Sequence, residues 1–385
     1  MDRRVWLLTA AQFASATGAY AFTGLLADLA ADLGVSVATA GQLAAAYALT
    51  YALAGPFVVA LTARVERRTL LVTGLGLVAA LNLATALAPD FSSMLALRVL
   101  AALSVTMVLP GVAAAQLVPP EQRGRALATV LAGLTLAFSL GIPLGTAVGG
   151  VFGWRASFVF SGLLVGAAAV AIRVGLPRLP STDRGGALSL GIALRPDIAA
   201  VLGTTGLAFA GLFCIAAYLG PIVTAATGIS GSGIGLVQAF VGLGSLVGIA
   251  LGGRAAGRAG GAGLPVALLA LLAGALSLYS VLLAFPPAPW HAVPLAALVF
   301  TGAISLFALA PIAQARLMGL APQDRAVALS LNAAMTFAGQ GAGAAYGGLV
   351  TAGAGLAFNG LAGALAAAAA GVLALRAFRR SPTSA

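Results

Sequence analysis

The chain has 385 residues, of which 61% are hydrophobic and only 8% charged, and its formal net charge is +11. Soluble proteins carry about 25% charged residues, so this composition excludes a water-soluble globular protein. All 20 basic residues are arginine; in a soluble chain that surplus would point to nucleic acid, but here the arginines stand between apolar segments and read as membrane-topology signals.

Twelve apolar segments follow one another, each of about 20 residues and long enough to cross a bilayer. They cover residues 5–27, 41–61, 70–88, 94–117, 126–149, 156–174, 198–219, 233–253, 264–285, 293–315, 326–350 and 356–375. Arginines occupy the termini and alternate connections: Arg3 and Arg4, then Arg64, Arg67 and Arg68, Arg123 and Arg125, Arg173, Arg178, Arg184 and Arg195, Arg254 and Arg258, Arg316 and Arg325, and finally Arg376, Arg379 and Arg380. The opposite connections hold only Arg155, and Arg98 lies within the fourth segment. The positive-inside rule then puts both termini in the cytoplasm, in agreement with an even number of crossings. The longest connection, residues 175–196, contains Pro177, Pro180, Asp183, Arg184, Gly185 and Gly186. It reads as a cytoplasmic linker between a unit of residues 1–174 and one of residues 197–385.

The two units repeat. Pro120-Glu121-Gln122-Arg123 is echoed by Pro322-Gln323-Asp324-Arg325, at a separation of 322 − 120 = 202 residues. The same offset relates Gly141 to Gly343, Gly145 to Gly347 and Gly153 to Gly355. Duplicated halves facing a central site are a mark of secondary transporters. Gly141, Gly145, Gly149 and Gly153 recur every fourth residue around Pro143. That spacing makes a smooth stripe on one helix face, and the proline should bend the helix. Gly244, Gly248 and Gly252 form a second stripe, and Gly339, Gly343 and Gly347 a third. The fifth and eighth segments are expected to meet across the halves, stripe against stripe.

Several polar or aromatic residues within segments are candidates for contact with a small-molecule substrate: Arg98, Tyr20, Tyr47, Phe138, Gln238, Phe307, Asn332 and Gln340. Arg98 carries a charge that is costly in lipid, and it is expected to face a watery central cavity. The single cysteine, Cys214, and the single histidine, His291, leave no material for a disulfide, a metal cluster or a catalytic triad. Gly231, Gly233 and Gly235 lack the preceding strand and following acid of a dinucleotide site. The expected reading is therefore not an enzyme, with no metal and no cofactor.

Four pieces of the chain carry a family resemblance. The connection from Gly55 to Arg68, GPFVVALTARVERR, resembles a cytoplasmic gate motif of the major facilitator superfamily. Arg98 stands where that family has a fourth-helix arginine. Gly141-Ile142-Pro143-Leu144-Gly145 resembles its fifth-helix antiporter motif, and Gly153-Trp154-Arg155-Ala156-Ser157-Phe158 the boundary that follows. The match is most similar to the twelve-helix drug:proton antiporter branch, the arabinose-efflux-permease-like exporters. The chain departs from the pattern at Ala63 and Gly257, where the gate motifs carry aspartate, and at Thr17-Gly18-Ala19-Tyr20, where many relatives carry an embedded acid.

The resemblance implies an all-α membrane protein of twelve transmembrane helices in two pseudo-symmetric six-helix bundles. It implies an inner-membrane, monomeric exporter of small amphipathic compounds (drug, secondary metabolite or sugar derivative) that works by alternating access and draws on the proton gradient. The alternative is a facilitator or importer of sugars or other small metabolites. Arg64, Glu66, Arg67, Arg68, Glu121, Arg123 and Asp324 are the expected gate residues, with Gly141, Pro143, Gly145 and Gly248 as conformational elements. With aspartate lost at Ala63, Asp324 is expected to meet Arg64 or Arg67 when the cytoplasmic side is shut. The partners are a small-molecule substrate and the lipid bilayer, and no nucleic acid.

Overall fold

The structure, a computed structural model, describes residues 2–181, 190–256 and 261–379. Asp183, Arg184, Gly185, Gly186, Gly257, Arg258 and Arg380, named above, lie outside the described residues.

The described chain is helical. The first half holds α1 (Arg3–Tyr20), α2 (Leu26–Asp32), α3 (Val37–Leu61), α4 (Arg67–Ala86), α5 (Phe91–Val105), α6 (Pro110–Leu117), α7 (Arg123–Leu136), α8 (Ile142–Phe152) and α9 (Trp154–Gly175). The second holds α10 (Pro196–Ala216), α11 (Leu219–Thr227), α12 (Gly233–Ala256), α13 (Gly263–Leu282), α14 (Ala292–Leu320), α15 (Arg325–Gly353) and α16 (Asn359–Ala377). Local chemistry starts many of them. Ser36 caps α3 by accepting from the Thr39 amide at 3.1 Å, and Asp90 caps α5 by accepting from the Ser93 amide at 2.8 Å, each satisfying an amide that the helix start leaves open. Pro110 and Pro196 open α6 and α10, where their missing N–H costs nothing.

Among the described residues, ten stretches of helix are long and apolar enough to cross a membrane. Helices α1 and α15, expected as crossings one and eleven, are not among the ten. They carry Gln12, Asn332 and Gln340 beside their apolar residues, and Arg3, Arg4 and Arg325 at their starts. Three expected continuous segments are broken. The first divides between Tyr20 and Leu26, the fourth between Val105 and Pro110, and the seventh between Ala216 and Leu219. The fifth is interrupted by a π-helical turn over Ala137–Gly141. Pro143 explains its position: it offers no N–H to the Ser139 carbonyl, and a π-turn is a common way to absorb such a gap.

Within the first half, α1 packs on α7 and α9, α4 on α5 and α9, and α3 on α5. Within the second, α10 packs on α15 and α16, α12 on α14, and α13 on α14 and α16. The most extensive contacts between the halves pair α3 with α15, and α8 and the turn before it with α12, and α11 adds smaller ones with α2 and Thr23–Leu25. The 202-residue offset relates α8 to α15, so these contacts use corresponding helices of the two halves.

The glycine stripes do not form that junction, which corrects the expectation. A Cβ at Gly145 would stand 2.5 Å from Ala21 Cβ, and Gly141 and Gly149 face Thr17 and Leu25, so this stripe receives the first helix of its own half. A Cβ at Gly248 would stand 2.6 Å from the Ile304 carbonyl, with Gly244 and Gly252 against Phe300 and Ala308 of α14. Gly339, Gly343 and Gly347 press on Gly206, Ala210 and Cys214 of α10. Other glycines serve the junction. Gly235 lies against the Pro143 carbonyl, Gly242 against Ser139, Gly341 against Leu49 and Gly220 against Gly24. The strictly spaced stripes serve fixed, close helix pairs, where van der Waals contact supplies the association.

Candidate functional site

Arg98 is fully buried on α5. Its guanidinium donates to the Gly18 carbonyl at 3.1 Å and to the Ala19 carbonyl. Since α1 stops at Tyr20, these are carbonyls that a helix end leaves without an intrahelical donor, and they form the negative pole of the helix dipole. The rings of Tyr47, Phe22 and Phe158 surround the cation at 4.4, 4.9 and 5.8 Å from centroid to guanidinium carbon, within cation–π range. Arg98 therefore does not face an open cavity as expected. The broken end of α1 supplies acceptors and three rings exclude water, with Tyr47 acting as one of the seals.

A pocket lies where the halves meet. Its wall includes Tyr20, Thr23 and Phe138 from the first half and Phe213, Gln238 and Val241 from the second. The Tyr20 hydroxyl donates to Gln340 Oε1 at 2.6 Å, tying α1 to α15. The Thr146 hydroxyl donates to Gln238 Oε1 at 2.7 Å, and Gln238 Nε2 donates to Thr23 Oγ1 at 3.4 Å. The Phe307 ring lies 5.8 Å from Phe138 and 6.3 Å from Phe209, and the Tyr20 ring 5.7 Å from Phe213. The structure thus gathers Tyr20, Phe138, Gln238, Phe307 and Gln340. Asn332 stands apart, because its Oδ1 accepts from the Thr205 hydroxyl at 2.9 Å inside the second half. Aromatic walls with a few convergent amides and hydroxyls suit a small organic ligand.

Thr23, Thr146, Phe213 and Val241 escaped the sequence reading, and Ile142 entered it only as part of the Gly141–Gly145 motif. A threonine or an aliphatic residue in an apolar segment carries no signal of which face it occupies. Only the break after Tyr20 turns Thr23 toward Gln238.

At the arginine-rich end, side-chain bonds run largely to backbone groups. Glu66 accepts from the amides of Arg68, Thr69 and Leu179 at 3.1, 2.9 and 2.6 Å, and from the Thr69 hydroxyl at 2.5 Å. Burial opposes its ionisation, but the bonds from Thr69, Leu179 and Arg68 prevail and hold the carboxyl at about 2. The Arg67 amide returns a bond to the Leu179 carbonyl at 3.1 Å. Glu66 therefore binds backbone, not an arginine: the open amides of the α4 start and of the connector converge on it. The Arg68 guanidinium donates to the Arg173 carbonyl at 2.5 Å, at the end of α9. Arg316 acts alike at the end of α16, donating to the Ala377 and Arg379 carbonyls at 3.1 and 2.9 Å. Cations at helix C-termini are favourable. Arg64, Glu121, Arg123 and Asp324 are exposed, and Asp324 makes no ion pair with a described arginine.

At the other end Asp32 receives Arg155 and, at 3.1 Å, the Trp154 indole N–H. The hydrogen bond from Arg155, followed by that from Trp154, lowers its pKa. Contacts between the halves concentrate from mid-depth toward this end. They run from Tyr51 with Phe337, ring centroids 4.0 Å apart, through Ser139 with Gly242 to Gly150 with Ser232. Toward the arginine-rich end of α3, Leu53, Phe57 and Leu61 are exposed.

Comparison with known proteins agrees with this architecture. A family model described as Major Facilitator Superfamily matches residues 8–197. The chloramphenicol resistance protein of Streptomyces lividans is 33% identical over 286 residues, covering 71% of this chain and 72% of that protein. The inner membrane transport protein YdhP of Escherichia coli (strain K12) is 29% identical over 374 residues, covering 96% and 94%. Among solved structures, an inward-facing, occupied bacterial homolog of the human lysosomal transporter Spinster superposes with a TM-score of 0.77 at 20% identity, over 98% of each chain. The inward-open xylose transporter XylE from E. coli gives 0.76 at 15% identity, over 99% of this chain and 97% of that one. With half-chain packing, a central uncharged pocket and these relatives in agreement, the chain belongs to the major facilitator superfamily, a family of multi-pass membrane transporters and not of enzymes.

Proposed function

We propose that this protein exports small amphipathic compounds across the inner membrane by alternating access. The sixteen α-helices among its described residues make twelve crossings in two six-helix bundles, with α1–α2, α5–α6, α7–α8 and α10–α11 each forming one broken crossing. The arginine-rich end and both termini face the cytoplasm. The observation that carries the proposal is the pocket of Tyr20, Phe138, Phe213 and Gln238, set at the junction of the halves. Contact between the halves is concentrated on the side away from the arginines, as in a carrier open to the cytoplasm. In the opposite state Asp324 meets Arg64 or Arg67 and closes the cytoplasmic side.

The Gly141–Gly145 motif and the chloramphenicol resistance relative support export of a compound such as chloramphenicol, with energy drawn from the proton gradient. The test is uptake of chloramphenicol into everted membrane vesicles. Concentrative uptake that collapses with an uncoupler supports the proposal. Equilibrative flux indifferent to the uncoupler identifies a facilitator, and no flux rejects this cargo class.

A further inference from the structure

Resting on the reading of this pocket as the cargo site, we infer that it takes compounds without a positive charge and selects those whose apolar body carries a hydrogen-bond acceptor, with Gln238 as the residue that sets this preference. The first support is the placement of charge. Nine acidic residues exist in the whole chain. Asp2, Glu66 and Asp90 cap helix starts, Asp197 lies in the first turn of α10, and Asp324 directly precedes α15. Asp28 and Asp32 belong to the short exposed end at α2, and Glu121 to the turn before α7. Among the described residues, none of them lines the pocket. A cation entering it would shed water and meet no counter-charge, which is the costly case for buried ions.

The second support is Arg98. Its cation is bound by two neutral carbonyls and three rings and has no carboxylate partner. The Tyr47 ring that covers it is 6.2 Å from the Tyr20 ring, which in turn forms pocket wall. A positive charge without a carboxylate partner acts over longer range in a low-dielectric interior than in water. It disfavours a cationic cargo while leaving neutral ones untouched.

The third support is the donor set. Gln238 presents two amide protons on Nε2. One reaches Thr23 at a long 3.4 Å, while Oε1 is held by Thr146 at 2.7 Å. The oxygen is thus engaged and pinned, and the nitrogen retains donor capacity on the pocket wall. A carbonyl or nitro oxygen on the cargo completes it. A pinned donor rejects an analogue that lacks the acceptor, because the donor is then left unmet.

The experiment uses the purified full-length protein and two probes of nearly one shape, neutral 10-methylacridone, which bears a carbonyl, and cationic 10-methylacridinium. Binding is read as the ligand-dependent rise in melting temperature and the Kd derived from it. Wild type should bind the acridone at least about tenfold more tightly than the acridinium. Gln238→Glu should bring acridinium binding to within about twofold of acridone or beyond it, since a buried carboxylate supplies the missing counter-charge. Gln238→Leu should weaken acridone binding about tenfold without gaining acridinium. Equal binding of both probes by wild type overturns the inference on charge while the export reading stands, and it does so whether or not the variants fold. Binding of neither probe, with chloramphenicol still transported, overturns the inference on cargo shape and acceptor. Loss of all binding and all flux removes both readings together.

Discussion

Gly153 and Gly355 share one backbone conformation at matching points of the two halves, φ 88° and ψ 152° at the first and φ 98° and ψ 160° at the second. Both precede the closing helix segment of their half. Side chains with a Cβ avoid this region of φ/ψ space, so the repeat is preserved where the chain's geometry leaves no other residue.

Gly153→Ala and Gly355→Ala should each destabilise the protein by about 1–3 kcal/mol. No atom lies within 4 Å of a Cβ at either site, so the cost is one of backbone conformation, not of crowding. Melting temperatures of the two variants should fall by similar amounts. A drop confined to one of them would show that the halves do not share this constraint.

Arg98→Ala should abolish transport and lower stability by about 2 kcal/mol or more, because two hydrogen bonds to a charged donor are lost. Arg98→Lys should recover only part of it. The Gly18 and Ala19 carbonyls are met by two different guanidinium nitrogens, and an ammonium is a point charge without that fork. Flux and thermal unfolding of both variants check this.

Gly145→Leu and Gly248→Leu should damage folding of their own halves, since their neighbours are Ala21 and Ile304. Gly242→Leu should instead keep the halves apart, since its neighbour is Ser139 across the junction. Cysteine labelling at the end near Gly150 should rise for Gly242→Leu, with the melting temperature nearly kept. Equal labelling in all three variants would count against this division of roles.

Glu66→Gln should loosen the connector at Leu179, seen as faster proteolysis after α9 at neutral pH. In the wild type the Glu66 carboxyl is held at about 2, below its ordinary value of 4.5. A depressed folded-state pKa contributes stability above the unfolded value and loses it as pH falls from about 4.5 toward 2. Proteolysis by an acid-active protease should therefore accelerate across that window in the wild type and change little in the Gln variant.

Asp324→Asn should raise cysteine labelling from the arginine-rich side, because the state closed at that end would lose its pairing with Arg64 or Arg67. A gate contact present in one state shifts the balance by its own free energy. An unchanged labelling pattern removes Asp324 from the gate.

By itself the sequence determined the membrane character, the arginine-marked side, the duplication and the family. Each rests on quantities that are additive along the chain: apolar length against bilayer thickness, charges per connection, and residues recurring at one offset. It also marked Tyr20, Phe138, Gln238, Phe307 and Gln340, because amides and aromatics are conspicuous in an apolar background. Only the tertiary structure decided which surfaces meet. The glycine stripes face α1, α14 and α10 inside their own halves, and periodicity states that a face is smooth without stating what covers it. Arg98 is sealed because α1 breaks at Tyr20 and frees two carbonyls, and Glu66 binds amides because the connector returns to the start of α4. Those outcomes depend on partners distant in sequence, and a side chain's neighbours are set by three-dimensional packing that no local pattern encodes.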